Sequence, residues 1–495
     1  MIPEPVTAIA TFLPEDSTSL SLDPGGSAKH KTPGVDDAIH AGYANLLLDS
    51  GVTPYGTAVF SFRQNGVTVT EAGIPASPPT KQARVFIDFR KEVNAVPARS
   101  EAGNVDVNTG IAIVNPGSVA ADVTYRLRNA SGQTITTGHG TIEAGRYFAC
   151  FIDQLKEKAG APDFDLPPDF PATTQFGSLE ISSTEPLSVL ALRGTLNQRG
   201  EFLLTTTPVA DLEKPLPTSP FYFPQFADGG GYTTSLVLLN TSTLAESGKM
   251  ELIDAAGNPF TVTPVGGTAD SSFSYSIPPR GVFRFQTDGF PVEAKAGWVR
   301  LTPDAGTSAP VGSGVFSFNP ADILVSESGI PSAASTTHAR IYVDLSDNHN
   351  SGLALANLAD SKADIAVKAY EMDGNTPAGD AREPVQLDPK GYTAAFADQL
   401  ISGLPAGFTG VLDISSETPF AALTLRSLNN ERGDFLMTTF PVADMTTPAP
   451  SPLVFPQVAD GGGYSTEFIL ISAGGAASTV LSFYGENGTP LDFGE

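Results

Sequence analysis

The sequence predicts an all-β fold of tandem β-sandwich modules, in which the two ends of the chain are split terminal modules. Three observations predict it: a composition that favours short strands and turns, segments that alternate apolar and polar residues, and internal repeats in a permuted order. The chain has 495 residues with 49 Gly, 41 Pro and 17% charged residues. At roughly 100–150 residues per domain, this length predicts three to five domains.

Individual segments alternate as half-buried strands do. Val123, Tyr125 and Leu127 share one face of such a segment, and polar residues between them lie on the other. Asn65-Gly66 and Asn487-Gly488 predict hairpin turns, because Asn and Gly tolerate positive φ. About seven strands in roughly 110 residues is typical of a β-sandwich.

Two module types repeat along the chain. The first, the VAD module, ends on residues 192–203, which return as 425–436, and each copy is followed by Val-Ala-Asp. The second, the FPQ module, opens with Phe-Pro-Gln at 223–232 and closes with Glu-x-Gly-Ile-Pro at 327–331. Repeated segments of this length indicate repeated structural units.

The other FPQ segments lie at the two chain ends. The opening recurs near the C-terminus at 455–464, and the closing recurs near the N-terminus at 71–75. Each end is therefore predicted to be part of one FPQ module. The predicted domains are the C-terminal part of a split module at 1–81, VAD module 1 at 82–214, the FPQ module at 221–334, VAD module 2 at 338–447 and the N-terminal part of a split module at 453–495.

A turn of the form apolar-x-Pro-x-Gly, or a close variant, aligns the halves. It occurs at 277–281 in the complete FPQ module and at 22–26 in the N-terminal piece, with VAD counterparts at 142–145 and 387–391. The N-terminal piece thus lacks the first strands of a module, and the C-terminal piece supplies them. The residues predicted to form the shared core, at a subunit interface, are Phe468, Leu470, Leu481, Phe483, Tyr43, Phe60 and Phe62.

Half a sandwich exposes sheet edges and core, so another segment must cover it. Within one chain this requires the modules to bend into a ring, whereas the Pro-rich linkers at 215–220 and 448–452 predict an extended, stiff rod. Between chains the same contact is head-to-tail, and a heterologous contact that does not close produces a filament.

Composition and motifs also exclude several function classes. The net charge of −26 disfavours nucleic-acid binding, and no segment approaches the ~20 apolar residues of a membrane span. The acidity favours solubility, with calcium binding as the alternative. Five scattered histidines and the absence of a nucleophile motif predict no enzyme, metal site or cofactor, and the one cysteine, Cys150, predicts a small core residue without a disulfide.

Two further sets of residues are singled out. Arg193 and Arg426 occupy matching positions in apolar strands, where an ion pair or an outward position is expected; Glu201 and Asp434 are the predicted partners. Three Asn residues fit the glycosylation sequon and are candidate glycan sites: Asn129, Asn240 and Asn487.

The repeated segments 192–202 and 425–435, with their Leu-Arg start and Arg-Gly-x-Phe end, resemble the tandem immunoglobulin-like repeats of large secreted bacterial surface proteins. That resemblance implies immunoglobulin-like sandwiches, an extracellular or cell-surface location and a non-catalytic role. The split module also resembles pilus subunits that complete one another by strand donation.

The expected function is that of a structural subunit of an extracellular fibre. The C-terminal strands of one subunit would complete the N-terminal strands of the next, so the expected partner is another copy of the chain, with possible glycans and no nucleic acid. The alternative is a fragment of a long tandem-repeat adhesin or carbohydrate-binding protein.

Overall fold

A computed structural model describes residues 17–440 and 442–493, and this part of the chain is all-β, as the sequence predicts. Its antiparallel sheets form four sandwich modules, I to IV, of which module I combines strands from the N-terminal and the C-terminal parts of the described chain. The first strands of module I are β1 Ser17–Leu22, β2 Ser27–Lys31, β3 His40–Gly51, β4 Tyr55–Gln64 and β5 Val67–Pro75.

Module II follows as the first VAD module. Its strands are β6 Thr80–Asp88, β7 Arg90–Asn94, β8 Asn104–Val114, β9 Ala121–Asn129, β10 Thr134–Ile142, β11 Tyr147–Phe151, β12 Phe176–Leu196, β13 Phe202–Thr207 and β14 Val209–Asp211. Its short helices are α1 Leu155–Lys158 and α2 Phe170–Thr173, with 3₁₀ turns at Ser100–Ala102 and Ile152–Gln154. In β9 the predicted apolar face, Val123, Tyr125 and Leu127, is buried.

Module III is the continuous FPQ module. Its strands are β15 Phe221–Asp228, β16 Tyr232–Leu239, β17 Glu246–Asp254, β18 Ser272–Ile277, β19 Val282–Gln286, β20 Lys295–Pro303, β21 Val311–Phe318 and β22 Ser326–Pro331, with a 3₁₀ turn at Pro320–Asp322.

Module IV is the second VAD module, and the last strands return to module I. The strands of module IV are β23 Thr336–Asp344, β24 His349–Asn357, β25 Ala363–Glu371, β26 Pro377–Ala378, β27 Val385–Leu387, β28 Tyr392–Phe396, β29 Thr409–Asn429, β30 Phe435–Phe440 and β31 Ala443–Asp444, with helix α3 Ala397–Leu400. The strands that complete module I are β32 Leu453–Asp460, β33 Tyr464–Ile471 and β34 Ala477–Gly485.

Modules I and III have the same sheet topology in a different chain order. Module III has the sheets β15-β20-β17-β18 and β19-β16-β21-β22, and module I has β32-β3-β34-β1 and β2-β33-β4-β5. The C-terminal strands β32, β33 and β34 thus take the places of β15, β16 and β17. Module I is a circularly permuted copy of module III that is completed within one chain.

The modules pack side by side around a common centre. Strands β5, β13, β22 and β30, one from each module, contact one another in turn, and β30 returns to β5. The expectation of an extended rod is therefore wrong: the Pro-rich linkers connect modules that lie against each other. Proline stiffens a linker, but it does not set the direction in which the next module packs.

Candidate functional site: the joints of the ring

The residues predicted for the shared core meet inside module I. Tyr43, Phe60, Phe468, Leu470, Leu481 and Phe483 are all buried in one cluster, together with Leu22, Leu453 and Phe455. The Phe468 and Phe483 rings lie 5.5 Å apart edge to face, and the partly buried Phe62 stacks on Tyr464 at 4.2 Å. The two ends of one chain thus build a single core. Phe455 is the Phe of the repeated FPQ opening, and this repeat is the sequence signal that could have placed it in the core.

Each module is joined to a neighbour by the same turn contact. The first residue of the strand that follows the apolar-x-Pro-x-Gly turn donates its backbone N–H to the carbonyl of the first residue of a hairpin turn in the neighbouring module. These N–H to carbonyl bonds are Ser27 to Met372 at 2.8 Å, Tyr147 to Glu486 at 3.2 Å, Val282 to Ala130 at 2.9 Å and Tyr392 to Ala255 at 3.1 Å. The contacts run from I to IV, IV to III, III to II and II to I, so the ring closes.

A glycine in each receiving hairpin permits this close approach. Gly132, Gly257, Gly374 and Gly488 all have φ between 70° and 84°. A Cβ atom on Gly257 would lie 2.2 Å from the Pro389 carbonyl oxygen of the neighbouring module. The hairpin Gly therefore serves both its own turn and the joint.

The Gln of the FPQ motif also belongs to a joint. The Tyr147 hydroxyl of module II donates to Gln457 of module I, and the Tyr392 hydroxyl of module IV donates to Gln225 of module III. Burial raises the pKa of both tyrosines, which keeps them protonated as donors. At these two joints the apolar cores continue from one module into the next.

At the other two joints an arginine connects the modules: Arg193 is half-buried and Arg426 is buried. Arg193 of module II bonds Asp88 of its own module and lies 3.1 Å from Glu327 of module III. Burial would lower the pKa of Arg193, but these carboxylates raise it above its usual value. The arginine of the repeated VAD segment and the Glu of the Glu-x-Gly-Ile-Pro closing thus form an ion pair across the joint.

Arg426 of module IV makes the equivalent contact with module I. It lies 2.9 Å from Glu467 and 3.5 Å from Glu71, and 3.8 Å from Asp344 of its own module. Burial alone would raise the pKa of Glu71, but Arg426 and His349 together hold it below its usual value.

The predicted partners of these arginines are wrong. Glu201 instead accepts from Arg432 at 2.5 Å, and Asp434 accepts from Arg199 at 2.8 Å. Both pairs connect modules II and IV across the centre of the ring. The turns carrying Glu201 and Asp434 point toward the opposite module, a direction that sequence proximity cannot reveal.

The three sequon asparagines differ in accessibility. Asn487 is exposed and Asn129 is partly exposed in its turn. Asn240 is fully buried, and its amide donates to the carbonyls of Leu244, Ile277 and Pro278. Asn240 is therefore not a glycan site in the folded chain, which corrects that prediction. Asn115 and Asn357 make equivalent bonds in modules II and IV, a repeat visible in the sequence.

The remaining candidate groups are buried or dispersed. Burial raises the pKa of Cys150 to about 12, which leaves its thiol protonated and unreactive. Within residues 17–440 and 442–493, no three His, Cys, Asp or Glu side chains are grouped to hold a metal ion. In the same part of the chain, no helix has the length and apolar character needed to cross a membrane.

Comparison with known proteins identifies no family. No family model and no curated protein matches the chain. Among solved structures, Thermotoga maritima 1070 matches with a TM-score of 0.17 at 14% identity, over 26% of this chain and 90% of that one. The Anabaena sensory rhodopsin transducer matches with a TM-score of 0.15 at 15% identity, over 19% of this chain and 97% of that one. Likenesses this weak carry no functional argument.

Proposed function

We propose that this chain is a non-catalytic structural protein and that the closed ring is its functional form. Module I closes this ring. The observation that carries the proposal is the pairing of strands from 17–75 with strands from 453–485 in module I, in the register of module III. Ser21 of β1 faces Ser478 of β34, as Ser276 of β18 faces Ser247 of β17. A ring closed in this way needs no second chain to cover the sheet edges of either half.

Proximity favours closure within one chain. The two halves of module I are attached to the same three packed modules, so each meets the other at a high effective concentration. For linked binding partners that concentration is on the order of millimolar. A second chain at micromolar concentration competes poorly with it.

A head-to-tail fibre is the second candidate, and the permuted order of module I favours it specifically. The strands of 17–75 and 453–485 are connected only through modules II to IV. The C-terminal strands of one copy can therefore complete the N-terminal strands of the next without a change of register. The ring and the fibre then differ only in whether the same pairs form within or between chains.

An extracellular or cell-surface location is part of the proposal. It is supported by the resemblance of the repeated segments to secreted surface repeats and by the net charge of −26, which favours solubility. A piece of a longer adhesin or carbohydrate-binding protein remains the alternative role, and exposed Asn487 is the candidate that best suits a glycan.

A disulfide trap tests the proposal. Ser21→Cys with Ser478→Cys places two thiols at facing positions of β1 and β34, and Ser247→Cys with Ser276→Cys is the matched control inside module III. Buried Cys150 stays out of the reaction. After mild oxidation, we expect both variants to run as cross-linked single chains on a non-reducing gel.

The trap separates the candidates. A ladder of covalent multimers from Ser21→Cys/Ser478→Cys alone would support the fibre and contradict the ring. If only the control forms a disulfide, the halves do not pair in this register and both candidates fail.

A further inference from the structure

The joint between modules IV and I contains a cavity. Its volume is about 360 Å³. Lys31, Arg63 and Thr68 line it from module I, and His349, Asn429 and Glu431 line it from module IV. It lies beside the Glu71–Arg426 pair.

At the II–III joint the same place is filled by the chain itself. In module II, 19 positions separate Asp88 of β6 from Val107 of β8, whereas only 5 separate the equivalent Asp344 and His349 in module IV. The extra segment, residues 90–103, contains β7 and a 3₁₀ turn.

Contacts of this segment show that it occupies the equivalent of the cavity. The Ala98 N–H donates to the Asp288 carbonyl at 3.1 Å, and the Gln198 side chain donates to the Ala102 carbonyl at 2.7 Å. Val93 and Ala95 pack on a cluster that includes Val107 and Leu324.

The residues that hold the segment have counterparts in the cavity wall. By the repeat register, Asp288, Gln198, Leu324 and Val107 correspond to Pro33, Glu431, Thr68 and His349, which all line the cavity. The framework is also the same: the Asn197 amide donates to the Leu324 carbonyl at 2.9 Å, and the Asn430 amide donates to that of Thr68 at 2.8 Å. A peptide segment thus sits in one joint where the other has open space.

The cavity wall also differs in chemistry from its counterpart at the II–III joint. Two apolar contact positions, Val107 and Leu324, are replaced by His349 and Thr68. The wall carries charges of both signs. Arg63 lies 3.0 Å from Glu431, and His349 lies 3.3 Å from Glu71. Lys31 and Asp347 add one charge of each sign. An apolar occupant is therefore disfavoured, and no excess charge selects a strongly ionic one.

Exposed amides complete the wall. Asn348 and Asn429 present side chains with both donor and acceptor groups at its rim. Paired donors and acceptors of this kind match the N–H and C=O groups of an extended main chain.

We propose that the IV–I cavity is a binding site for an extended, polar peptide segment of a partner protein, in the place that residues 90–103 fill at the II–III joint. Because the cavity is formed by modules I and IV together, an occupant would also stabilise the closed ring. The inference goes beyond the structural role and depends on it only through the geometry of module I.

Selection with a random peptide library displayed on phage tests the proposal. The oxidised Ser21→Cys/Ser478→Cys protein is the bait, so an open ring cannot be the cause of failure. We expect enriched polar peptides whose binding weakens at least tenfold in Asn348→Gly/Asn429→Ala. Both positions are exposed, and Asn348 already has a φ of 65°, which Gly adopts without strain.

A second variant fills the cavity directly, with residues 90–103 inserted between Leu345 and Ser346, the equivalent place in module IV. We expect it to lose binding of the selected peptides and its insert to be protected from hydrogen exchange. The proposal is overturned if no peptide is enriched, if enriched peptides bind the amide variant as well as the parent, or if a glycan array yields saccharides that displace them.

Discussion

Modules I and III contain the same strands in the same sheets, yet one is continuous and the other joins residues more than 380 positions apart. Phe455 of β32 and Phe223 of β15 occupy equivalent places in the two cores, and both are fully buried. The comparison teaches that strand pairing in this family of modules is set by local sequence and packing. Chain connectivity decides only what holds the halves together, which in module I is the rest of the ring.

The largest effect is expected from Phe455→Ala, with Phe223→Ala as its matched control. Each change removes a buried ring and should cost about 3–5 kcal/mol of local stability. In module III the flanking strands remain covalently connected, whereas in module I the C-terminal strands can separate from the N-terminal ones. Hydrogen exchange should therefore rise in both 17–75 and 453–485 for Phe455→Ala, but only within module III for Phe223→Ala.

If hydrogen exchange rose only locally and to the same extent in both variants, the permuted chain order would have no effect on how module I opens. Global unfolding in both would show instead that the modules are too tightly coupled for the comparison to hold.

The next effect concerns the joint arginines. Arg426→Met leaves the buried carboxylates of Glu71, Glu467 and Asp344 without their guanidinium, and at neutral pH should cost about 3–5 kcal/mol. Arg193→Met should cost less, because Arg90 still bonds both oxygens of Asp88, at 2.5 and 2.7 Å. Urea denaturation of the two variants at pH 7 measures the difference.

Lowering the pH should reduce the loss of stability that Arg426→Met causes. In the native protein the pKa of Glu71 is lowered, so its contribution to stability is present above its ordinary pKa and is lost as the pH falls. Without Arg426, burial raises that pKa, and protonation at lower pH then restores stability. A deficit that is constant between pH 7 and pH 4 would refute this electrostatic account.

Much of this comparison was predictable from sequence. The positions of the FPQ opening and closing predicted that the N-terminal and C-terminal parts complement each other, and the apolar residues of these two parts were the predicted shared core. The partners that Arg193 and Arg426 find in the neighbouring modules were not predictable, because the packing order of the modules is not encoded in any local pattern. The burial of Asn240 had a signal that was missed: Asn recurs at the equivalent place, as Asn115 and Asn357.

A smaller effect is expected in the pH dependence of stability, which should differ between modules I and III. Buried Glu246 of module III accepts from Ser308 at 2.7 Å, and its counterpart in module I is Ala477. Burial raises the pKa of Glu246 from its ordinary value of 4.5 to about 7, despite that hydrogen bond. The native carboxyl thus holds a proton that the unfolded chain releases, so module III should lose stability as the pH rises from 4.5 to about 7.

Glu246→Gln mimics the protonated carboxyl group. At pH values above 7 this variant should have a higher denaturation midpoint than the parent protein, whereas near pH 4.5 the two midpoints should differ little. An unchanged midpoint at pH 8 would indicate that Glu246 ionises without cost. Ala477→Gln would not serve as a control, since it would crowd the core of module I.

The smallest effect is expected across the ring centre. Arg432→Gln removes the bond to Glu201, and Arg199→Gln removes the bond to Asp434; both arginines are more than one-third exposed. Such pairs typically contribute less than about 1 kcal/mol and weaken with salt. Thermal denaturation at low and high salt should show a small loss that salt abolishes, whereas a loss that persists at high salt would indicate a packing role.

The closed ring is tested most directly by the mass of the unmodified protein in solution. Sedimentation equilibrium from nanomolar to micromolar concentration should yield a single species of 51.5 kDa at every concentration, because module I is completed within each chain. A mass that increases with concentration would contradict closure within the chain and favour the fibre.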